Sequence, residues 1–300
     1  MLALCGVAAV LEATRRIRKR STGNDSYVIE NSTSADEPPV ESFAVDEEDE
    51  QAEIYVRVMG PVEIEGTEGE LARAKSVELV AYLAIHPRGE DADRLMEALW
   101  PDKKPVSTTF NTTVSVARGA LGTNAAGEHH VAHVERGLYR AEPSVQTDWA
   151  VLRATVRRVA SVEDPLQRLD LLCTALELVR GEPFDGCRRG YEWARRDGTA
   201  SNVEREVVEA AAQAAEWAMN LHQAKVARWA ARQGLLASPG NERLYRCLMA
   251  TAAESGDRAE VERVMDELCA VREVAGLNEL DEATLDLYKR SMGRGEGLSA

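Results

Sequence analysis

The chain is poor in aromatic residues, which make up 5% of its 300 positions. Ala, Glu, Arg, Val and Leu dominate instead, a balance that favours a mainly helical protein. Positive charge is also in deficit: 36 basic residues face 51 acidic ones, for a formal net charge of -15. This argues against a protein held on nucleic acid by bulk electrostatics, though not against a localised basic face. No two of the five cysteines (Cys5, Cys173, Cys187, Cys247, Cys269) stand at a CxxC spacing. A scattered, odd set reads as reduced, mostly buried thiols in a cytosolic setting. The five histidines do not fall at ligand spacing with these cysteines; His129, His130 and His133 come nearest to a cluster. There is no GxGxxG, GxxxxGK[ST], HExxH or GxSxG, so catalysis is not expected and no cofactor or metal is called for.

Long hydrophobic runs are missing as well. Met1-Leu11 (MLALCGVAAVL) is followed by the basic RRIRKR at Arg15-Arg20. A spanning helix needs about 20 apolar residues, so this run alone is too short. No positive segment precedes it, as a signal peptide would require. An apolar run followed by basic residues is, however, how a membrane helix exits on the cytoplasmic side. Residues 1–20 therefore read either as the last half of a membrane anchor, tethering a cytoplasmic protein to the inner face of the cell membrane, or as a frayed amphipathic helix with weak membrane contact. Residues 21–53 hold eleven acids with no Lys or Arg among them, and Pro38-Pro39. Such a segment cannot bury a core and is expected to be a disordered linker.

What is present begins at residue 54. Ile54-Glu65 alternates apolar and polar residues around Gly60-Pro61, predicting two short strands and a turn. Leu71-Ile85 has helical spacing and is stopped by His86-Pro87-Arg88-Gly89; Asp91-Trp100 is a second short helix ended by Pro101. A third helix runs from an N-cap at Ser107 to Leu121, before Gly122. Its buried face is Phe110, Val114, Ala117 and Leu121; Thr108, Thr112, Ser115, Val116 and Gly119 lie opposite, flanked by Asn111 and Arg118. His129-Glu135 and Leu138-Ala141 then form two strands around Arg136-Gly137. Strands, three helices and a hairpin make a winged helix-turn-helix over residues 54–147.

From 148 to 292 the pattern is nearly all helix, with segments expected at Trp149-Val159, Pro165-Val179, Tyr191-Leu221, Gln223-Ala237, Glu242-Glu254, Arg258-Val274 and Glu282-Ser291. Helix pairs joined by short turns suggest a degenerate tetratricopeptide-like array with a period in the mid-thirties. Trp193, Trp217, Trp229 and Leu248 read as packing positions. Arg188, Arg189, Arg195 and Arg196 read as solvated charges, and are the first to test for a contact outside the winged helix. Residues 293–300 are expected to be a disordered tail.

The segments RAKSVELVAYLAIHP, DRLMEALWPD and TTFNTTVSVARGALG are similar to the winged helix of the Streptomyces antibiotic regulatory protein (SARP) family. RGEPFDG, the stretch from Ala227 to Glu273 and LDLYKR resemble the bacterial transcriptional activator domain of the same family. Together the two resemblances cover about residues 54–290. They imply a DNA-binding transcriptional regulator whose helical domain serves self-association or contact with the transcription machinery. Family members that hydrolyse nucleotides carry an extra ATPase domain, which is not found here. The family pattern in the third helix resembles VSRLRRALG; this chain has VSVARGALG, so Val116 and Gly119 stand where basic residues are usual and only Arg118 matches. Between Glu53 and Asp148, ten basic residues face fifteen acids, a net of -5. Candidate DNA contacts are then Lys103 and Lys104 before the helix, Thr108, Asn111, Thr112, Ser115 and Arg118 on it, and Arg136 in the wing. Two other classes fit the same residues: a membrane-tethered interaction module whose winged helix has weak or no DNA affinity, and a soluble scaffold with two protein-binding surfaces.

Overall fold

The computed structural model describes residues 52–134, 137–186, 190–277 and 279–293. The anchor expected at residues 1–20, nearly all of the acidic linker, Arg136, Cys5, Cys187, Arg188, Arg189 and the tail from 294 lie outside them. Among the described residues, no helix is long and apolar enough to cross a membrane. From Glu53 onward the chain forms one contiguous unit. In chain order it runs β1 (Ile54–Arg57), β2 (Glu63–Glu65), α1 (Ala74–Ile85), β3 (Glu90–Asp91), α2 (Ala92–Leu99), α3 (Ser107–Leu121), β4 (Val131–Val134), β5 (Leu138–Ala141) and β6 (Val145–Thr147). Helices follow: α4 (Asp148–Val159), α5 (Pro165–Leu176), α6 (Glu192–Arg196), α7 (Thr199–Asn220), α8 (Ala224–Ala237), α9 (Glu242–Glu254), α10 (Arg258–Val274) and α11 (Glu282–Gly293). The protein is mainly α: a winged helix-turn-helix followed by a tetratricopeptide-like helical array.

Two small sheets frame the first half. In one, β1 pairs antiparallel with β2, Val56 opposite Ile64, and parallel with β6, Val56 opposite Thr147. The strand β6 has only three residues and leaves no alternation to read. Ile54, Tyr55 and Val56 are all buried, because α1 packs against β1 and so does α4 of the helical half. Both faces of the strand are covered, where alternation predicts one. In the other sheet, of order β3-β5-β4, the hairpin β4-β5 is the wing.

The three helices bury Leu79, Leu83, Leu95, Leu99, Phe110, Val114, Ala117 and Leu121 into one core. The Ser76 hydroxyl, itself buried, donates to the Thr113 carbonyl and binds α1 to α3. The helix starts differ slightly from expectation. Helix α1 begins at Ala74, not Leu71, and Val106, not Ser107, is the N-cap of α3; Val106 is extended after Pro105, with φ -70° and ψ 150°.

In the helical half, Thr147, Asp164, Asn241 and Asp257 each accept a first-turn N–H and cap α4, α5, α9 and α10. The helix expected over Tyr191-Leu221 is two. Gly198 sits at φ +81°, and the Asp197 carboxylate accepts the Thr199 N–H, so the chain stops after Arg196 and restarts at Thr199. The helix expected to reach Val179 ends at Leu176 and continues as tight turns, with Leu178 and Val179 donating to Ala175 and Leu176. Helices α7 to α11 pack on their sequence neighbours as an array. Buried Ala227, Ala230, Ala231 and Gly234 of α8 recur at a constant spacing as Val261, Val264, Met265 and Leu268 of α10, which gives the degenerate repeat its physical content. Trp193 and Leu248 are buried, whereas Trp217 and Trp229 are half-buried. The cysteines depart from the buried expectation: Cys173 and Cys247 are half-buried and Cys269 is exposed.

Candidate nucleic-acid interface

The outer face of α3 follows from the helical period: with Phe110, Thr113, Val114, Ala117, Ala120 and Leu121 buried, the residues between them face outward. Thr108, Asn111, Thr112, Ser115 and Gly119 are exposed, and Val116 is half-buried. The Thr112 hydroxyl donates to the Thr108 carbonyl at 2.7 Å, so its donor is already used within the helix. A Cβ built on Gly119 would meet nothing within 4 Å. The start of α3 has no side-chain cap and no acidic residue in its first turn. The Thr109 and Phe110 N–H groups bond the Val106 carbonyl, which leaves the Ser107 and Thr108 N–H groups to carry the partial positive charge of the helix start. Val106, at this end, is 67% exposed.

The wing is fixed to α3 at two points. Phe110 and Tyr139 meet edge to face with centroids 5.4 Å apart, and Arg118 Nε donates to the Val131 carbonyl at 2.7 Å. Arg118, the one arginine that matches the family pattern, is thus half-buried in the last turn as a brace between helix and wing.

The basic residues of this half divide cleanly by partner. Lys104 pairs with Asp93 at 2.7 Å, Arg57 with Glu65 at 2.8 Å and Arg140 with Glu142 at 3.1 Å. Lys75 pairs with Glu78 at 2.7 Å, donates to the Leu99 carbonyl and lies over the Trp100 ring. Lys103, Arg73, Arg88 and Arg94 are exposed, with no ion pair among the described residues. The structure therefore separates Lys103 from Lys104, which the sequence treats alike. Of the histidine trio, His130 is buried with Nδ1 2.8 Å from the Ser144 hydroxyl, and His129 Nδ1 lies 3.3 Å from the Gly122 carbonyl. Among the described residues no group of His, Cys, Asp and Glu could hold a metal ion.

Behind this face the helical half is joined to the winged helix by buried polar contacts that sequence reasoning missed. Asp148, at the start of α4 and fully buried, accepts the Val58 N–H at 2.8 Å, the Met59 N–H at 3.0 Å and the Trp149 N–H at 2.8 Å. Burial pushes its carboxyl up to about 6, against the pull of these three donors. The RGEPFDG segment closes over the β1–β2 turn: Arg180 N–H donates to the Met59 carbonyl, Phe184 N–H to the Val58 carbonyl, and Arg180 Nη2 to the Pro61 carbonyl. Gly60 permits that approach, since a Cβ there would stand 2.9 Å from Arg180 Cβ. Glu78 of α1, 3% exposed, accepts the Tyr191 N–H at 2.9 Å. Beside it Trp193 packs edge-on to Tyr82, whose ring stacks on His86 at 4.1 Å. A buried Glu and a buried Asp carry no periodic signature; only a charged residue amid apolar neighbours hints at such a role.

Fold and site together define a class: a winged helix with an exposed polar helix face and adjoining wing, built onto a helical array. Residues 147–279 match the family model for the bacterial transcriptional activator domain. The winged helix stands directly ahead of that domain in the chain. Among solved structures, it resembles Mycobacterium tuberculosis EmbR, determined in complex with a low-affinity phosphopeptide, at a TM-score of 0.59 and 20% sequence identity. The match covers 81% of this chain and 65% of that one, and at this identity it is a likeness of fold. No curated protein matches by sequence.

Proposed function

We propose that this protein is a DNA-binding transcriptional regulator, its winged helix docking on duplex DNA and its helical domain serving self-association or contact with the transcription machinery. The observation that carries this reading is the outer face of α3. Its polar side chains are exposed, its N-terminus has no side-chain cap, and Lys103, with no ion pair among the described residues, stands just before it in the chain. An uncapped helix start beside a free ammonium is a fitting receptor for a DNA phosphate, and hydroxyl and amide groups can follow base edges. Thr108, Asn111, Thr112 and Ser115 are the proposed contacts on the helix, with Lys103 as the principal phosphate anchor. Lys104 contributes only after releasing Asp93, Arg118 acts by holding the wing, and Arg136 is proposed from sequence alone. Titration of the full chain against genomic fragments at several salt concentrations tests the reading. Specific complexes whose affinity falls with salt are expected; no complex at low salt would sink it.

The cation inventory also supports a second reading, an interaction module with little DNA affinity. Among the described residues, four basic side chains of the winged helix are held in ion pairs, and Arg118 is committed to Val131. The same titration separates the two.

A further inference from the structure

Guanine is most often read in the major groove by an Arg or Lys that bonds its O6 and N7 together, whereas adenine is read by an Asn or Gln amide on N6 and N7. Thymine offers its 5-methyl group to apolar contacts. The exposed face of α3 holds the second chemistry without the first. Thr108, Asn111, Thr112 and Ser115 recur at three- and four-residue spacing, so they share one face over the first two and a half turns. These are the turns that reach base edges when a recognition helix enters the groove. No Lys or Arg lies on that stretch. The first basic side chain of α3 is Arg118, one turn further on, with its Nε on the Val131 carbonyl. Asn111 has no hydrogen-bond partner among the described residues, so both its amide donor and its acceptor are available. Thr112 has used its hydroxyl donor on Thr108 and offers a methyl group and an acceptor. Further along the helix, Val116 is half-buried and Gly119 adds no side chain at all.

We infer that α3 reads an A·T-containing core, with Asn111 bidentate to an adenine and the methyl groups of Thr108 and Thr112 against thymine methyls. This inference rests on the DNA-binding reading above and specifies its target. Position on the DNA comes from phosphate contacts outside the reading face, Lys103 and the helix start among them, which carry no sequence information. Sequence preference then depends on one amide and two methyl groups.

The test begins with selection of the full chain on duplexes with a randomised core. An enriched core containing adenine and thymine is expected. On the selected duplex, Asn111→Ala should lower affinity about ten-fold, while its weaker binding to random duplex stays unchanged. Asn111 is exposed, so the variant should melt with the wild type. Replacing the read adenine by 7-deazaadenine, which lacks the N7 acceptor, should weaken the wild type and leave Asn111→Ala unaffected. Uracil in place of thymine should weaken the wild type several-fold through the lost methyl. A core of G·C pairs, or an Asn111→Ala loss equal on selected and random duplexes, overturns the base assignment alone. Absence of any complex at low salt overturns the DNA-binding reading and this one with it.

Discussion

Two adjacent lysines illustrate how little a residue's identity says without its neighbour. Lys104 is neutralised by Asp93, while Lys103 has no ion pair among the described residues. If DNA docks at the start of α3, Lys103→Ala should weaken binding several-fold at low salt and Lys104→Ala much less. Equal losses would mean that the Asp93 pair opens on binding. Gly119 offers the opposite experiment. It lies on the outer face with open space around its Cβ direction, and its backbone is helical. Gly119→Arg should strengthen DNA binding and steepen the log–log salt slope by about 0.9. It should also stabilise the helix by about 0.5–1 kcal/mol, since glycine is a poor helix residue. A higher melting temperature with unchanged affinity would place the DNA elsewhere.

Among the elements, α3 was the most legible: Phe110, Val114, Ala117 and Leu121 recur at helical spacing and are all buried. Its start was misread by one residue, because Ser107 is a common cap and the conformation of Val106 after Pro105 is not visible in composition. The break between α6 and α7 was missed for a related reason. Asp197-Gly198 is a weak stop, and only Gly198 at positive φ with Asp197 capping the next turn reveals it. The packing of α7, α8 and α9 depends on Gly234. A Cβ there would meet Ala211 Cβ at 2.6 Å and Leu244 Cδ1 at 2.7 Å. Gly234→Ala should therefore destabilise the array by about 1–3 kcal/mol despite the better helix propensity of alanine. Chemical denaturation followed by helical circular dichroism measures it; a gain in stability would show that α7 and α9 yield at little cost.

At the scale of the molecule, Asp148, Glu78 and Arg180 join winged helix and helical array through buried bonds rather than through an exposed tether. Asp148→Asn should cost about 1–3 kcal/mol, because its NH2 would face one of the backbone donors the carboxylate now satisfies. The wild type should also respond to pH through this group. Its folded pKa is raised from an ordinary value of 3.8 to about 6 by burial. The protonated form is thus favoured by folding, and that contribution is complete below about pH 3.8 and lost as pH rises through about 6. Linkage makes the loss on the order of 2–3 kcal/mol. Urea midpoints of wild type and Asp148→Asn between pH 4 and 7 isolate it, since the other carboxylates titrate in both. Parallel pH profiles would show that the three N–H donors outweigh desolvation. The net charge of -15 sets a second limit, on DNA affinity. With few free cations at the face, the salt slope should be no steeper than about -4, and a slope near -10 would require a larger basic surface.

The sequence by itself determined most of the helices in their order, the buried side of α3 and the resemblance that joins a winged helix to a helical array. These depend on local periodicity and short-range stops, which neighbouring residues encode directly. Tertiary structure decided which charges are free, that Arg118 braces the wing, that β6 completes a sheet with β1, and that Asp148 and Glu78 join the two halves. Those outcomes depend on residues far apart in the chain, as with the ninety positions between Val58 and Asp148. The burial that makes such contacts consequential exists only once both halves have packed.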